Sequence, residues 1–310
     1  MNDIKVLFIG IGSIAKRHIR NLQEILKKRE INCHIDAYRR SLSDTPDGVE
    51  RVILDIEEAP DDYDAIFITN PTEMHLETLQ LFHNKGRHFF IEKPVVSINQ
   101  INEACKFQLR KESIYYVACP LRYNAVIQYI KKNINPDDVI SVRSISSSYL
   151  PDWRPGRDYR QTYCAHRNMG GGVSIDLIHE WDYLTYLFGW PEHVECFIGK
   201  KSRLEIDSDD YAIYIASFAD KIAELHLDYF GRKTIREIEL FSFDDTIVGD
   251  IANNKISFLK SNKEIVFNEQ RDDYQKRELE HFLDLVYSSD SAEDGFHHNI
   301  NVLRLTQGRI

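Results

Sequence analysis

The chain has too few cysteines, too widely scattered, for a disulfide framework or a metal cage. The five are Cys33, Cys105, Cys119, Cys164 and Cys196, with no CxxC pair among them. They read as reduced, mostly buried thiols of a cytoplasmic protein, and no metal site is implied. Long hydrophobic runs are missing too: no stretch approaches the ~18 apolar residues needed to span a bilayer. The opening MNDIKVLFIG goes straight into a strand pattern, without a basic n-region or a cleavage site. Positive charge is in deficit, with 39 Lys and Arg against 49 Asp and Glu, a net charge of −10. That argues against nucleic acid or an anionic membrane as the main partner. It leaves room for a basic pocket and an anionic small substrate. There is no internal repeat and no low-complexity segment.

The 310 residues suffice for two domains. Up to about Pro120, short apolar runs alternate with amphipathic stretches. Strands are expected at 5–9, 34–38, 51–54, 64–69, 88–91 and 115–119, and helices at 13–28, 72–84 and 99–110. Such alternation implies a parallel sheet covered on both faces. A helix is then expected at 124–132 and a half-exposed strand at 139–149. A long loop follows, then one helix over 172–188. From His193 to Phe267 strands dominate, which points to an antiparallel sheet. Helical patterns return at 274–286 and 301–306. The pattern is still helical at Ile310, which leaves room for further chain beyond it. The expected division is 1–120 and 121–310, with the last helices free to pack back on the first domain.

Gly10-Ile11-Gly12-Ser13-Ile14-Ala15 is GxGxxA between a strand and a helix. The first glycine permits a tight turn, the second lets backbone approach a pyrophosphate, and the small third residue lets helix and strand pack closely. This is the signature of a Rossmann dinucleotide site, with Ser13 and Ile14 in the phosphate-facing turn. The second strand ends in Arg39-Arg40-Ser41, and Asp36 lies mid-strand. Guanidinium groups at the tip suit a ribose 2′-phosphate, so NADP is favoured, with NAD and an Asp36–ribose contact as the alternative. Thr69-Asn70-Pro71 with His75, and Glu92-Lys93-Pro94, follow the next strands on the ligand-binding edge. Partial desolvation beside a cationic ring would lower the Lys93 pKa and suit it to hold a substrate proton.

Four ordered motifs together resemble the Gfo/Idh/MocA family, which includes glucose–fructose oxidoreductase and inositol dehydrogenase. They are GIGSIAKRH at 10–18, TNPTEMH at 69–75, EKP at 92–94 and GGGVSIDLIHEWDYLTYLFG at 170–189. The resemblance implies an N-terminal Rossmann doubly wound parallel sheet, then an α/β domain on a large open, mainly antiparallel sheet. It implies hydride exchange between a nicotinamide and a ring carbon of a sugar or polyol. By position, Lys93, Asp176 and His179 match the family's catalytic residues. His179 would move the hydroxyl proton, Lys93 would polarise the same oxygen, and Asp176 would orient the histidine or a neighbouring hydroxyl. Here Asp176 and His179 are three apart rather than the usual four, which leaves Glu180 as the alternative to His179. Both spacings fall on one helix face. The resemblance also implies pairing of open sheets into a homodimer or homotetramer.

The loop 149–169 carries Trp153, Tyr159 and Tyr163 among Arg154, Arg157, Arg160 and Arg167. It is locally basic in an acidic chain. Trp153, Arg154, Arg157 and Tyr159, with Arg122, are expected to meet the substrate, which is then an anionic sugar: a nucleotide sugar, a sugar phosphate or a sugar acid. The competing account pairs the arginines with Asp152 and Asp158. Two other functions fit the same motifs, namely reduction of a non-sugar ligand such as a tetrapyrrole or imine, and a catalytically silent dinucleotide sensor.

Overall fold

The computed structural model describes residues 3–40, 45–288 and 295–309. The chain forms two compact units, Met1–Ala118 with Arg271–Ile300, and Cys119–Gln270 with Asn301–Ile310.

The first unit contains β1 (Asp3–Ile9), α1 (Ser13–Lys28), β2 (Asn32–Tyr38), β3 (Arg51–Ile53), β4 (Tyr63–Ile68), α2 (His75–Phe82), β5 (Gly86–Ile91), α3 (Ile101–Ala104) and β6 (Tyr115–Val117). The strands pair in parallel in the order β3-β2-β1-β4-β5-β6. Val6, Leu7 and Phe8 are all fully buried, as expected where both faces of a sheet are covered. Strand order reverses between β1 and β4, and ligands bind such sheets beyond the carboxyl ends at that reversal. Phe8, Phe67 and Phe90 stack across β1, β4 and β5 with ring centroids 4.5 and 4.8 Å apart, giving this edge a rigid floor. Two expected helices are shortened. The stretch from Thr72 opens with a 3-10 turn, and α2 proper starts at His75. The helix expected over 99–110 ends at Ala104, because Phe107 turns in against His83 and Tyr115 and Arg110 donates to the carbonyls of Gly86 and Arg87.

The second unit contains α4 (Ala125–Asn133), β7 (Val139–Tyr149), α5 (Val173–Asp176), α6 (His179–Phe188), β8 (His193–Gly199), β9 (Tyr211–Ser217), β10 (Ile222–Asp228), β11 (Phe230–Ser242), β12 (Thr246–Asp250), β13 (Lys255–Phe258) and β14 (Lys263–Val266). Its eight strands are ordered β14-β13-β12-β11-β7-β10-β9-β8. Pairing is antiparallel except between β10 and β7, which run parallel. The single helix expected over 172–188 is two. Leu177 leaves helical geometry (φ −99°, ψ 31°), so Asp176 closes α5 and His179 opens α6. The loop 149–169 is a chain of 3-10 turns rather than a structureless segment.

The last helices are α7 (Arg271–Tyr287) and α8 (Gly295–Leu305). Within the first unit, Arg20 of α1 and Arg29, which caps it, hold Asp272 and Asp284 of α7 at 2.6 and 2.7 Å, and the Phe282 ring meets Phe67 and Phe90 edge-on. No helix among the described residues is long and apolar enough to cross a membrane.

Candidate active site

In the first unit the sequence motifs converge at the carboxyl edge of β1, β4 and β5. Gly10 follows β1 with φ +85°, and a Cβ there would stand 2.7 Å from the Asn70 backbone. Only glycine allows this approach. The Thr69 hydroxyl donates to the Gly10 carbonyl at 2.7 Å, which ties the two loops together. Gly12 is the reverse case. It is exposed, has ordinary φ, and a Cβ on it would meet no protein atom within 4 Å. It caps α1 with no side-chain acceptor and no acid in the first turn. The amides of Ser13 and Ile14 thus head a bare helix N-terminus beside open space, as a pyrophosphate requires. Ala15 beneath is fully buried. These residues fit a dinucleotide.

Two histidines brace this edge. His18, spaced as a core position of α1, is buried and stands 2.6 Å from the Glu92 carboxylate. Burial pushes the Glu92 carboxyl up, but the His18 hydrogen bond and the charges of His18 and Lys93 outweigh it, so its pKa lies below the ordinary range. His75 is buried between the carbonyls of Asn70 and Pro94, each 3.0 Å away, and so links the 69–75 and 92–94 motifs. Burial lowers its pKa against the pull of both carbonyls. Pro71 is exposed, and Lys93 lies half-buried between Glu92 and Pro94. At β2, Asp36 accepts from Tyr63 at 2.6 Å and stands 3.5 Å from Arg51, and so is already engaged. Arg39 and Arg40 follow the strand end, half-buried and exposed respectively. Ser41 lies outside the described residues.

In the second unit the Gly-rich segment is fixed by neighbours remote in sequence. A Cβ on Gly171 would lie 2.1 Å from the Tyr163 carbonyl, and one on Gly172 (φ +139°) would lie 2.3 Å from the Asp209 carboxylate. That carboxylate accepts from the Ser174 amide. Asp176 is buried, and its carboxylate accepts from the Tyr229 hydroxyl; its charge also raises the pKa of the Tyr163 hydroxyl and the Cys164 thiol. Tyr229 was not evident from the sequence, because it is 53 residues away with no motif around it. His179 is half-buried at the start of α6. Glu180 is fully buried, with an oxygen 2.7 Å from Arg236 of β11. Arg122, expected to meet substrate, forks Asp182 through Nε and Nη2 with contacts of 2.6 to 3.1 Å and lies over the Tyr186 ring.

Trp153, Arg154, Arg157 and Tyr159 meet around a gap of only about 10 Å³, lined also by Leu150 and Cys164. The Trp153 indole donates to Ser148 at 2.8 Å and its ring stands perpendicular to Tyr229. Arg154 lies over the Tyr163 ring, 5.5 Å from its centroid. The arginine that pairs with an acid is Arg160, held by Asp158 and Glu205. Among the described residues no group of three or more His, Cys, Asp or Glu is placed to hold a metal.

The two units match, in turn, the models of the oxidoreductase family with an NAD-binding Rossmann fold (residues 4–119) and of the GFO/IDH/MocA C-terminal domain (residues 127–241). The chain belongs to the Gfo/Idh/MocA family. It is 27% identical over 188 residues to an uncharacterized oxidoreductase, YrbE, of Bacillus subtilis, covering 58% of this chain and 52% of that one. It is 24% identical over 144 residues to inositol 2-dehydrogenase of Rhizobium meliloti, covering 46% and 42%. The matched region spans about half the length of these curated relatives. Among solved structures, levoglucosan dehydrogenase in complex with NADH superimposes with a TM-score of 0.82 at 15% identity, covering 99% of this chain and 95% of that one. The myo-inositol 2-dehydrogenase of Lactobacillus plantarum gives 0.79 at 20%, covering 98% and 95%. At these identities the structural likeness establishes the fold.

Proposed function

We propose that this chain is a dehydrogenase or reductase that exchanges a hydride between NADP(H) and a ring carbon of an anionic sugar. The observation that carries the cofactor half is Gly12, an exposed glycine with empty space above it at a bare helix N-terminus. Support for the sugar half comes from relatives named for inositol and levoglucosan, and from the clustering of Trp153, Arg154, Arg157 and Tyr159 in one loop. A bound nicotinamide would supply the hydride acceptor or donor. The Gly10–Ala15 turn with Thr69 and Asn70 would hold it. Lys93 polarises the oxygen of the reacting carbon, and His179 takes or returns the hydroxyl proton. The engagement of Glu180 by Arg236 favours His179 for this role. Asp176 sets the position of the groups around it. For the 2′-phosphate, Arg39 and Arg40 are the candidates, because Asp36 is bonded elsewhere. The five free thiols fit a reducing compartment.

Fluorescence titration with NADPH and NADH, followed by assay against matched neutral and anionic sugars, tests both halves. The expected result is tighter NADPH binding that weakens in Arg39→Ala, and faster turnover of sugars bearing phosphate or carboxylate. Tighter NADH binding, unaffected by Arg39→Ala, overturns the NADP assignment. Turnover confined to imines or tetrapyrroles overturns the sugar assignment.

A further inference from the structure

His75, the first residue of α2, stands where two of the sequence motifs meet. Its Nε2 lies 3.0 Å from the Asn70 carbonyl, and its Nδ1 lies 3.0 Å from the Pro94 carbonyl. A carbonyl oxygen offers only lone pairs, and a neutral imidazole has one N–H and one lone pair. The neutral ring therefore bonds one of these carbonyls and turns a lone pair on the other. Only the imidazolium, with two N–H groups, donates to both. The ring is buried, which leaves its nitrogens no solvent to turn to.

Each carbonyl belongs to a segment of the site. Asn70 packs on Gly10 of the dinucleotide turn. Its side-chain amide donates to Thr78 of α2 at 2.7 Å, and its Oδ1 is buried with no partner among the described residues. Pro94 directly follows Lys93. Glu92, at the end of β5, favours a charge on the ring, while Lys93 beside it and His18 of α1 act on that same carboxylate. Glu73 and Glu77, the nearest acids along the chain, are exposed. Burial works against the charge and holds the His75 pKa below its ordinary value of 6.5.

We propose that His75 is a positioning residue for hydride transfer, which as an imidazolium clasps the cofactor loop at Asn70 to the Lys93–Pro94 segment and as a neutral ring releases one of them. The positioning half rests on the reading of Lys93 as the residue that polarises the substrate oxygen. The protonation half does not. The clasp closes as pH falls, so the site tightens in acid, and that pH dependence belongs to His75 rather than to His179.

The test begins with NMR of the full chain labelled with 15N-histidine. Signals that vanish in His75→Gln or His75→Asn pick His75 out of the twelve histidines. As pH falls below 6.5 its ring should gain a second proton, so that both nitrogens carry one. A ring that keeps a single proton down to the pH of unfolding overturns the clasp, whatever the chain turns over. The two variants then divide it. An Asn amide reaches where Nδ1 stands and a Gln amide where Nε2 stands, so His75→Asn keeps the Pro94 bond, His75→Gln keeps the Asn70 bond, and neither titrates. Between pH 8 and pH 5.5, NADPH binding by the wild type should strengthen about tenfold relative to His75→Asn, the scale of one bond to a charged group. The cofactor's own titration is common to both and cancels. A ratio that stays constant with pH overturns the clasp as a determinant of cofactor binding. With a turned-over sugar in hand, His75→Gln should lower kcat about tenfold with NADPH affinity near wild type. Unchanged kcat there, with Lys93→Ala inactive, overturns the positioning role. Unchanged kcat in both variants faults the reading of Lys93 instead.

Discussion

The clearest consequence of a single residue lies at Glu92. Its carboxyl sits below the ordinary value of 4.5 because His18 and Lys93 outweigh burial. A depressed carboxylate stabilises the folded state above its unfolded pKa, and that contribution is lost as pH falls through the folded value. Melting curves between pH 7 and pH 3 should therefore show a steeper loss of stability below about pH 4.5 in the wild type than in Glu92→Gln. Equal slopes would mean that the His18–Glu92 contact carries no net stability. Residue by residue, the sequence was uneven in what it disclosed. The GxGxxA turn could be read because its chemistry is local to a strand end. The Tyr229 partner of Asp176 could not, because it has no motif of its own. The Asp182 partner of Arg122 was hidden in the same way, since it lies sixty residues on.

At the scale of elements, periodicity located most helices and strands, and errors gathered where a tertiary contact overrides it. The 172–188 stretch has an unbroken helical pattern, yet Gly171 and Gly172 are pressed against Tyr163 and Asp209, and the helix resets at Leu177. Parallel pairing of β10 with β7 was equally hidden, because alternation fixes which residues share a face and not which strand lies alongside. The eight-stranded sheet carries a prediction of its own. On the face away from α4, α5 and α6, Phe197 is paired across strands with Ile213, and Ile213 with His226, which pairs with Ile145. Phe197 is 68% exposed, and Ile215 and Ile222 remain nearly half exposed nearby. Exposed apolar side chains of this kind call for a partner, and a second copy of the same face is the proposed one. Light scattering at micromolar concentration should give a dimer or tetramer, and Phe197→Glu should shift it toward monomer. A strictly monomeric wild type contradicts the proposal.

For the whole molecule, the central claim is that one chain combines a dinucleotide cradle with a proton-handling pair. The sequence carries an ordered motif for each, and the structure shows bracing around those motifs. His18 and His75 hold the Glu92–Pro94 segment, and Asp209 and Tyr163 hold the Gly-rich approach to His179. The most direct measurement is the rate of NADP(H) turnover with the preferred sugar, taken alongside NADPH affinity, in wild type, Lys93→Ala and His179→Ala. Turnover should fall about a hundredfold or more in each variant, the usual scale for a positioned acid or base, while NADPH still binds. Full turnover in both variants, with cofactor binding intact, would contradict the account.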